Sequence, residues 1–139
     1  MKTRILILLL SMSSNWAFSQ LYKCPLKQGI ISHPKLGRNS NPDYTTIRLL
    51  SKHKKVISIS EGFVTKISLL NSNYIVFIRN ERDEFFIYSD LNKIYLKVGD
   101  KIKVNQKIGN AMSEDDGNSY TFSIQHYDKT EPTKIEIDC

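Results

Sequence analysis

Few side chains in this chain could do chemistry: three histidines (His33, His53, His126), two cysteines (Cys24, Cys139) and a strip of hydroxyls at Ser119, Thr121 and Ser123. A hydrolytic zinc needs three protein ligands and an open fourth position for water, and paired ligands usually show as His-x-His on a strand or as i,i+4 on a helix. His33, His53 and His126 stand on separate segments with neither spacing, so they read as exposed or loop histidines. The cysteines, far apart and without matching histidines, are a weak metal pattern. A serine nucleophile needs a base beside it and a third group to orient that base. Nothing of that kind marks Ser119 or Ser123, and strand serines of this sort usually lie on a solvated face. A swinging-arm carrier needs a modifiable lysine in a hairpin tip, and Glu114-Asp115-Asp116-Gly117 has none.

The chain has 139 residues, one domain's worth. Residues 1–19 read as a secretory signal peptide, with Lys2 and Arg4, then apolar Ile5 to Leu10, then small Ala17 and Ser19 before a cleavage site at Gln20. The apolar run is too short to span a bilayer. A retained amphipathic anchor is the alternative, and bulky Tyr22 and Lys23 before Cys24 argue against a lipoprotein signal. The expected mature domain is 20–139, secreted or periplasmic, with no transmembrane segment. It carries 18 basic and 14 acidic residues, a mild excess that suits an anionic envelope surface. No basic patch interleaved with aromatics is present, which argues against nucleic acid as a partner. In an oxidising compartment Cys24 and Cys139 would close nearly the whole chain with one disulfide, worth roughly 4–5 kcal/mol of chain entropy. Two unpaired thiols are the other reading.

The elements that must position these residues are strands. Residues 24–43 hold Pro25, Pro34 and Pro42 with Gly29 and Gly37 and read as loop, with room for a short strand at Gly29 to Ser32. From Tyr44 onward the patterning predicts strands near 44–50, 55–60, 63–70, 73–79, 84–89, 101–104 and 119–125, and a last one near 134–137. Polar turns separate them at Asn71-Ser72-Asn73, at Asn80 to Asp83, and at Asp115-Asp116-Gly117-Asn118. Asn73 to Ile78 is apolar on both faces, as a central strand would be. In Ser119 to Ile124 the alternation turns Tyr120, Phe122 and Ile124 inward and puts Ser119, Thr121 and Ser123 on the other face. The expected fold is all-β, one compact sandwich or partly open barrel of short, mostly antiparallel strands.

An ordered set of motifs runs through these strands. Glu61-Gly62-Phe63-Val64 is followed by Tyr88-Ser89-Asp90-Leu91, then by Lys97-Val98-Gly99-Asp100-Lys101-Ile102-Lys103-Val104-Asn105-Gln106-Lys107-Ile108-Gly109, then by Ser119-Tyr120-Thr121-Phe122-Ser123-Ile124. Leu36-Gly37-Arg38 precedes them. The Val-Gly-Asp hairpin alone also occurs in biotinyl and lipoyl carriers and in export-pump adaptors. The whole ordered set, over about residues 29–136, resembles the lysostaphin-like, or LytM-type, zinc peptidoglycan endopeptidases.

In those enzymes a His with an Asp four residues later, a Tyr-x-His-Leu and a late His-x-His build the zinc site. Ungapped counting from Gly62 carries the first pair onto Asp43 and Ile47, with a one-residue slip left open. The other positions fall on Asp90, Ser119 and Thr121. Such a set holds one good ligand, Asp43, and neutral hydroxyls bind zinc too weakly to replace imidazole. The resemblance therefore implies a degenerate member that is catalytically inactive and holds no metal or cofactor, zinc being expected in active relatives only. It further implies a cell-envelope role, binding peptidoglycan or a cell-wall hydrolase, since members of the family that lost zinc activate amidases. Two alternatives stay open: an active zinc metalloendopeptidase whose ligands lie elsewhere, and a structural envelope β-barrel with no cell-wall role.

Overall fold

The computed structural model describes residues 20–34 and 43–139. The expected signal peptide and the Leu36-Gly37-Arg38 motif lie outside the described residues. Twelve strands follow in chain order: β1 (Leu21–Lys23), β2 (Ile30–Ser32), β3 (Thr46–Ser51), β4 (Lys55–Ile57), β5 (Gly62–Leu70), β6 (Asn73–Arg79), β7 (Glu84–Ile94), β8 (Lys101–Ile102), β9 (Lys107–Glu114), β10 (Ser119–Asp128), β11 (Glu131–Thr133) and β12 (Glu136–Asp138). Ten of them form one antiparallel sheet in the order β2-β3-β10-β9-β7-β6-β5-β8, with β4 on β9 and β11 on β10. Register shifts at Val56/Ile57, Val64/Lys66, Tyr74/Val76 and Leu91/Lys93 bend the strands, and such bulges let a sheet curl. The result is the expected all-β, half-open barrel. Its core is fully buried Leu49, Val76, Ile78, Phe86, Tyr88, Leu91, Phe122 and Ile124, with Ile47 beside them.

Most of the predicted strands form, with shifted ends. The hairpin at Asn71-Ser72 has φ of 51° and 67°, the left-handed pair that a two-residue turn between twisted strands requires. β6 lies between β7 and β5, as its two apolar faces predict. The expected turn at 115–118 is a single 3-10 turn over Asp115–Gly117. β9 is the main strand the pattern concealed, because Gly109 and Asn110 interrupt its alternation. Gly109 is there because β7 passes close: a Cβ at this position would stand 2.4 Å from the Lys93 carbonyl oxygen. Gly109→Ala is therefore expected to push β7 from β9 at roughly 1–3 kcal/mol, the usual cost of overpacking. Urea unfolding measures it, and an unchanged midpoint would contradict the close approach. Gly99 differs: nothing lies near its missing Cβ, but its φ of +93° and its N–H to the Val64 carbonyl (2.8 Å) set the Val-Gly-Asp turn.

The first and last strands of the described domain meet. β1 and β12 pair in parallel, Leu21 to Lys23 against Glu136 to Asp138. The ladder continues through the Cys24 N–H to the Asp138 carbonyl (3.1 Å) and is closed by a Cys24–Cys139 disulfide with Cα atoms 4.9 Å apart.

One histidine departs from expectation. His33 and His53 lie in loops, but His126 is buried because β10 runs on past Ile124 and carries it onto the core face. Its ring stacks on Phe86 at 4.8 Å, and its Nε2 lies 2.7 Å from Glu84 Oε2. Burial opposes the Glu84 charge, yet hydrogen bonds from Asn80 and His126 and the nearby Arg82 outweigh it and hold the carboxyl below its ordinary 4.5. A carboxyl depressed by folding contributes stability above its unfolded value and loses it as pH falls through the folded value. Glu84→Gln is thus expected to flatten the loss of stability with acid below about pH 4.5. Fixed-urea unfolding as a function of pH tests this, and an acid limb of unchanged slope would count against it.

Candidate functional site

The outer face of β10 carries the residues that the family resemblance singled out, and strand register shows what surrounds them. Across β3, β10 and β9 run Leu50, Thr121 and Met112. One step on, across β3, β10 and β7, run Arg48, Ser123 and Ser89. One edge of β10 is thus shared, with β9 taking Ser119 to Thr121 and β7 taking Ser123 to Asp128. The fork lies at Asp90, whose φ of +65° lets β7 turn away while Leu91 returns to the core opposite Ala111. Aspartate tolerates that left-handed conformation better than most residues. The fold therefore gathers Asp90, Ser119 and Thr121 around one point of the sheet.

Their hydrogen bonding is uneven. Thr121 is fully buried and donates to the Leu49 carbonyl at 2.8 Å. The Ser119 hydroxyl is buried and finds no partner among the described residues. Asp43 stands at the entrance to β3, where its carboxylate accepts from Thr45 N (2.9 Å), Thr45 Oγ1 (2.6 Å) and Thr46 Oγ1 (2.8 Å). Those bonds, Thr45's first, hold its pKa below the usual range and commit it to the turn. Ile47 is not part of the gathering. It pairs with Ile124 and points into the core, on the side of the sheet opposite Thr121.

On the outer face β3 carries Arg48 between Thr46 and Leu50, and its guanidinium reaches Glu114 of β9 at 3.1 Å. β10 lies between those two strands. Arg48 pairs with Ser123 and Glu114 with Ser119, so the ion pair crosses the outer face of β10 over the intervening Thr121. That explains why a threonine on the outward face is fully buried. Neither Arg48 nor Glu114 was singled out from the sequence. The available signal was strand phase: Ile47 and Leu49 alternate as core residues, which leaves Arg48 facing out. Carrying the four-residue His–Asp spacing with that one-residue shift moves its first position from Asp43 to Tyr44.

Zinc does not fit this donor set. The face offers hydroxyls, a thioether, the Asp90 carboxylate, a Glu114 carboxylate already paired with Arg48, and the Arg48 guanidinium, a permanent cation with no lone pair to give; it holds no imidazole or thiolate. Among the described residues no three His, Cys, Asp or Glu side chains are grouped to hold a metal ion.

A curled antiparallel sheet with the Val-Gly-Asp hairpin and a late strand bearing the paired site positions is the architecture of LytM-type peptidase domains. The model of "Peptidase family M23" matches residues 45–134, and the chain belongs to that family. Among solved structures, Helicobacter pylori Csd3 aligns at TM-score 0.64 and 24% identity over 82% of this chain and 32% of its own. Lysostaphin aligns at 0.64 and 18% over 84% and 52%. A chain of the SpoIIQ–SpoIIIAH pore-forming complex aligns at 0.62 and 14% over 85% and 92%. At such identities these are likenesses of fold. The chain spans about a third of Csd3 and half of lysostaphin. No curated protein sequence matches it. Among the described residues no helix is long and apolar enough to cross a membrane.

Proposed function

We propose that this is a catalytically inactive M23 domain that is exported by residues 1–19 and acts in the cell envelope by binding peptidoglycan or a cell-wall hydrolase. The observation that carries the reading is the Arg48–Glu114 ion pair over Thr121. By the resemblance Thr121 takes the place of a ligand histidine, and here a guanidinium lies over it. Peptide hydrolysis by zinc needs a polarised water on an open coordination position, and a guanidinium with fixed donors provides none. The same guanidinium uses one of its five N–H donors on Glu114, which leaves donors to hold a carboxylate or carbonyl without cutting the chain. Protein partnering has support in the fold itself, since one similar structure is that of a two-protein complex.

The test uses the oxidised protein, purified with zinc in all buffers. We expect retention on sedimented peptidoglycan or on an immobilised cell-wall hydrolase, less than stoichiometric zinc after desalting, and no release of muropeptides. Stoichiometric zinc, or hydrolysis that a chelator abolishes, would overturn the proposal. N-terminal sequencing of exported protein is expected to start at Gln20.

A further inference from the structure

Away from β10, the outer face where β4, β9 and β7 run side by side carries a second cluster. Lys55, Asn110 and Lys93 are cross-strand neighbours on those strands. Tyr95 follows Lys93 by two residues, and its backbone N–H bonds the Ile108 carbonyl at 3.0 Å, which keeps it against β9. Two ammonium groups flank its half-exposed ring, Lys107 at 4.1 Å and Lys93 at 5.1 Å from the centroid. The Tyr95 oxygen accepts from Asn110 Nδ2 at 3.2 Å, so its own proton is free to donate outward. Asn110 is buried, and its Oδ1 has no partner among the described residues.

None of the three ammonium groups pairs with a carboxylate among the described residues. Like charges held this close, within a Debye length of one another, repel unless an anion joins them. The run from Lys93 to Lys107 adds exposed Lys97, Lys101 and Lys103, with Asp100 its one acid.

We infer that this face is a binding site for a linear phosphate-bearing polymer, held by Lys55, Lys93 and Lys107 with the Tyr95 hydroxyl as a neutral donor between them. Three features select that ligand. The cations span three strands at about 4.8 Å per strand, so a single small anion cannot meet all of them, whereas a chain of charges can. All three are lysines, point charges that suit a tetrahedral phosphate, and no arginine is present to favour planar carboxylates with a fork. The one aromatic ring is occupied by two ammonium groups, so it offers bases no stacking platform and nucleic acid is disfavoured. Hydrogen bonds from Asn110 foremost and then Lys107, with the charges of Lys107 and Lys93, lower the Tyr95 pKa against its desolvation, which strengthens it as a donor.

The probe is long-chain inorganic polyphosphate, titrated into the oxidised full-length protein at several salt concentrations. We expect Lys55→Gln/Lys93→Gln/Lys107→Gln to weaken binding at least about tenfold. The slope of log K against log salt should fall by about 2, at roughly 0.7 per lysine–phosphate contact on a single-stranded polyanion. Tyr95→Phe, which keeps the ring and removes the donor, should cost about fivefold. A control with the same loss of charge elsewhere, Lys23→Gln/Lys66→Gln/Lys129→Gln, should bind as wild type. Equal loss in the control would mean net charge alone and overturn the site. So would failure of wild type to bind polyphosphate at low ionic strength, or tighter binding of a single-stranded oligonucleotide. Lysine-dependent binding to phosphatidylglycerol vesicles with none to polyphosphate would likewise overturn it, assigning the face to a membrane.

Discussion

Ile47→Asp is expected to leave the domain largely unfolded, while the adjacent Arg48→Asp folds. Ile47 is 1% exposed and faces Ile124. Losing its burial costs about 1.5–3 kcal/mol, and an unpaired carboxylate in the core adds about 3–5 kcal/mol. Together these approach the whole stability of a small domain, about 5–15 kcal/mol. Arg48→Asp breaks a half-exposed ion pair and sets two carboxylates near each other, worth about 1 kcal/mol or less at such a surface. Urea unfolding of both variants reads the difference directly. An Ile47→Asp protein with nearly wild-type stability would mean that residue 47 does not face the core. The same experiment decides how a metal site could be rebuilt beside Ser119 and Thr121. A carboxylate at 48 would face the same side of the sheet as Ser119 and Thr121, whereas one at 47 would point into the core.

The second large effect is expected at the disulfide. Cys24→Ser/Cys139→Ser should cost about 4–5 kcal/mol, because the bridge closes a loop of 115 residues and removes that much chain entropy from the unfolded state. It also releases β1 and β12, whose Tyr22 and Ile137 are buried against the core. Denaturation with and without reductant, and of the double serine variant, measures the loss. A cost under about 1 kcal/mol would show that the parallel β1–β12 pair holds the ends without covalent help, contrary to the chain-entropy account.

Much of the scaffold was legible in the sequence, since strand phase and turn chemistry are local. Asn71-Ser72 had to turn, and Tyr120, Phe122 and Ile124 were placed on one face by their spacing alone; in the structure Phe122 and Ile124 are fully buried and Tyr120 packs partly buried at the core's edge. What was hidden depends on partners distant in sequence. β9 has no clean alternation because Gly109 answers to Lys93 of another strand. β1 and β11 are three residues long and exist only through their pairing with β12 and β10. His126 reads as an exposed histidine until β10 is seen to continue and bring it to Glu84 and Phe86. At the candidate site, hydroxyls at 119 and 121 were evident, but the ion pair above them joins residues 66 positions apart. Counting from Gly62 put the carboxylate position on Ile47; strand phase, an independent signal, puts Arg48 on that face.

The joined ends also change how the domain carries force. β1 enters and β12 leaves side by side, and a covalent link lies directly between the two points where the chain departs. Tension applied between Gln20 and Cys139 passes through the sulfur–sulfur bond and bypasses the sheet enclosed behind it. The ladders from β2 to β11 carry no load while the bridge is intact, and stretching the protein pays out only the few residues outside it. The oxidised domain is therefore inextensible between its ends, and reduction would turn it into a spring.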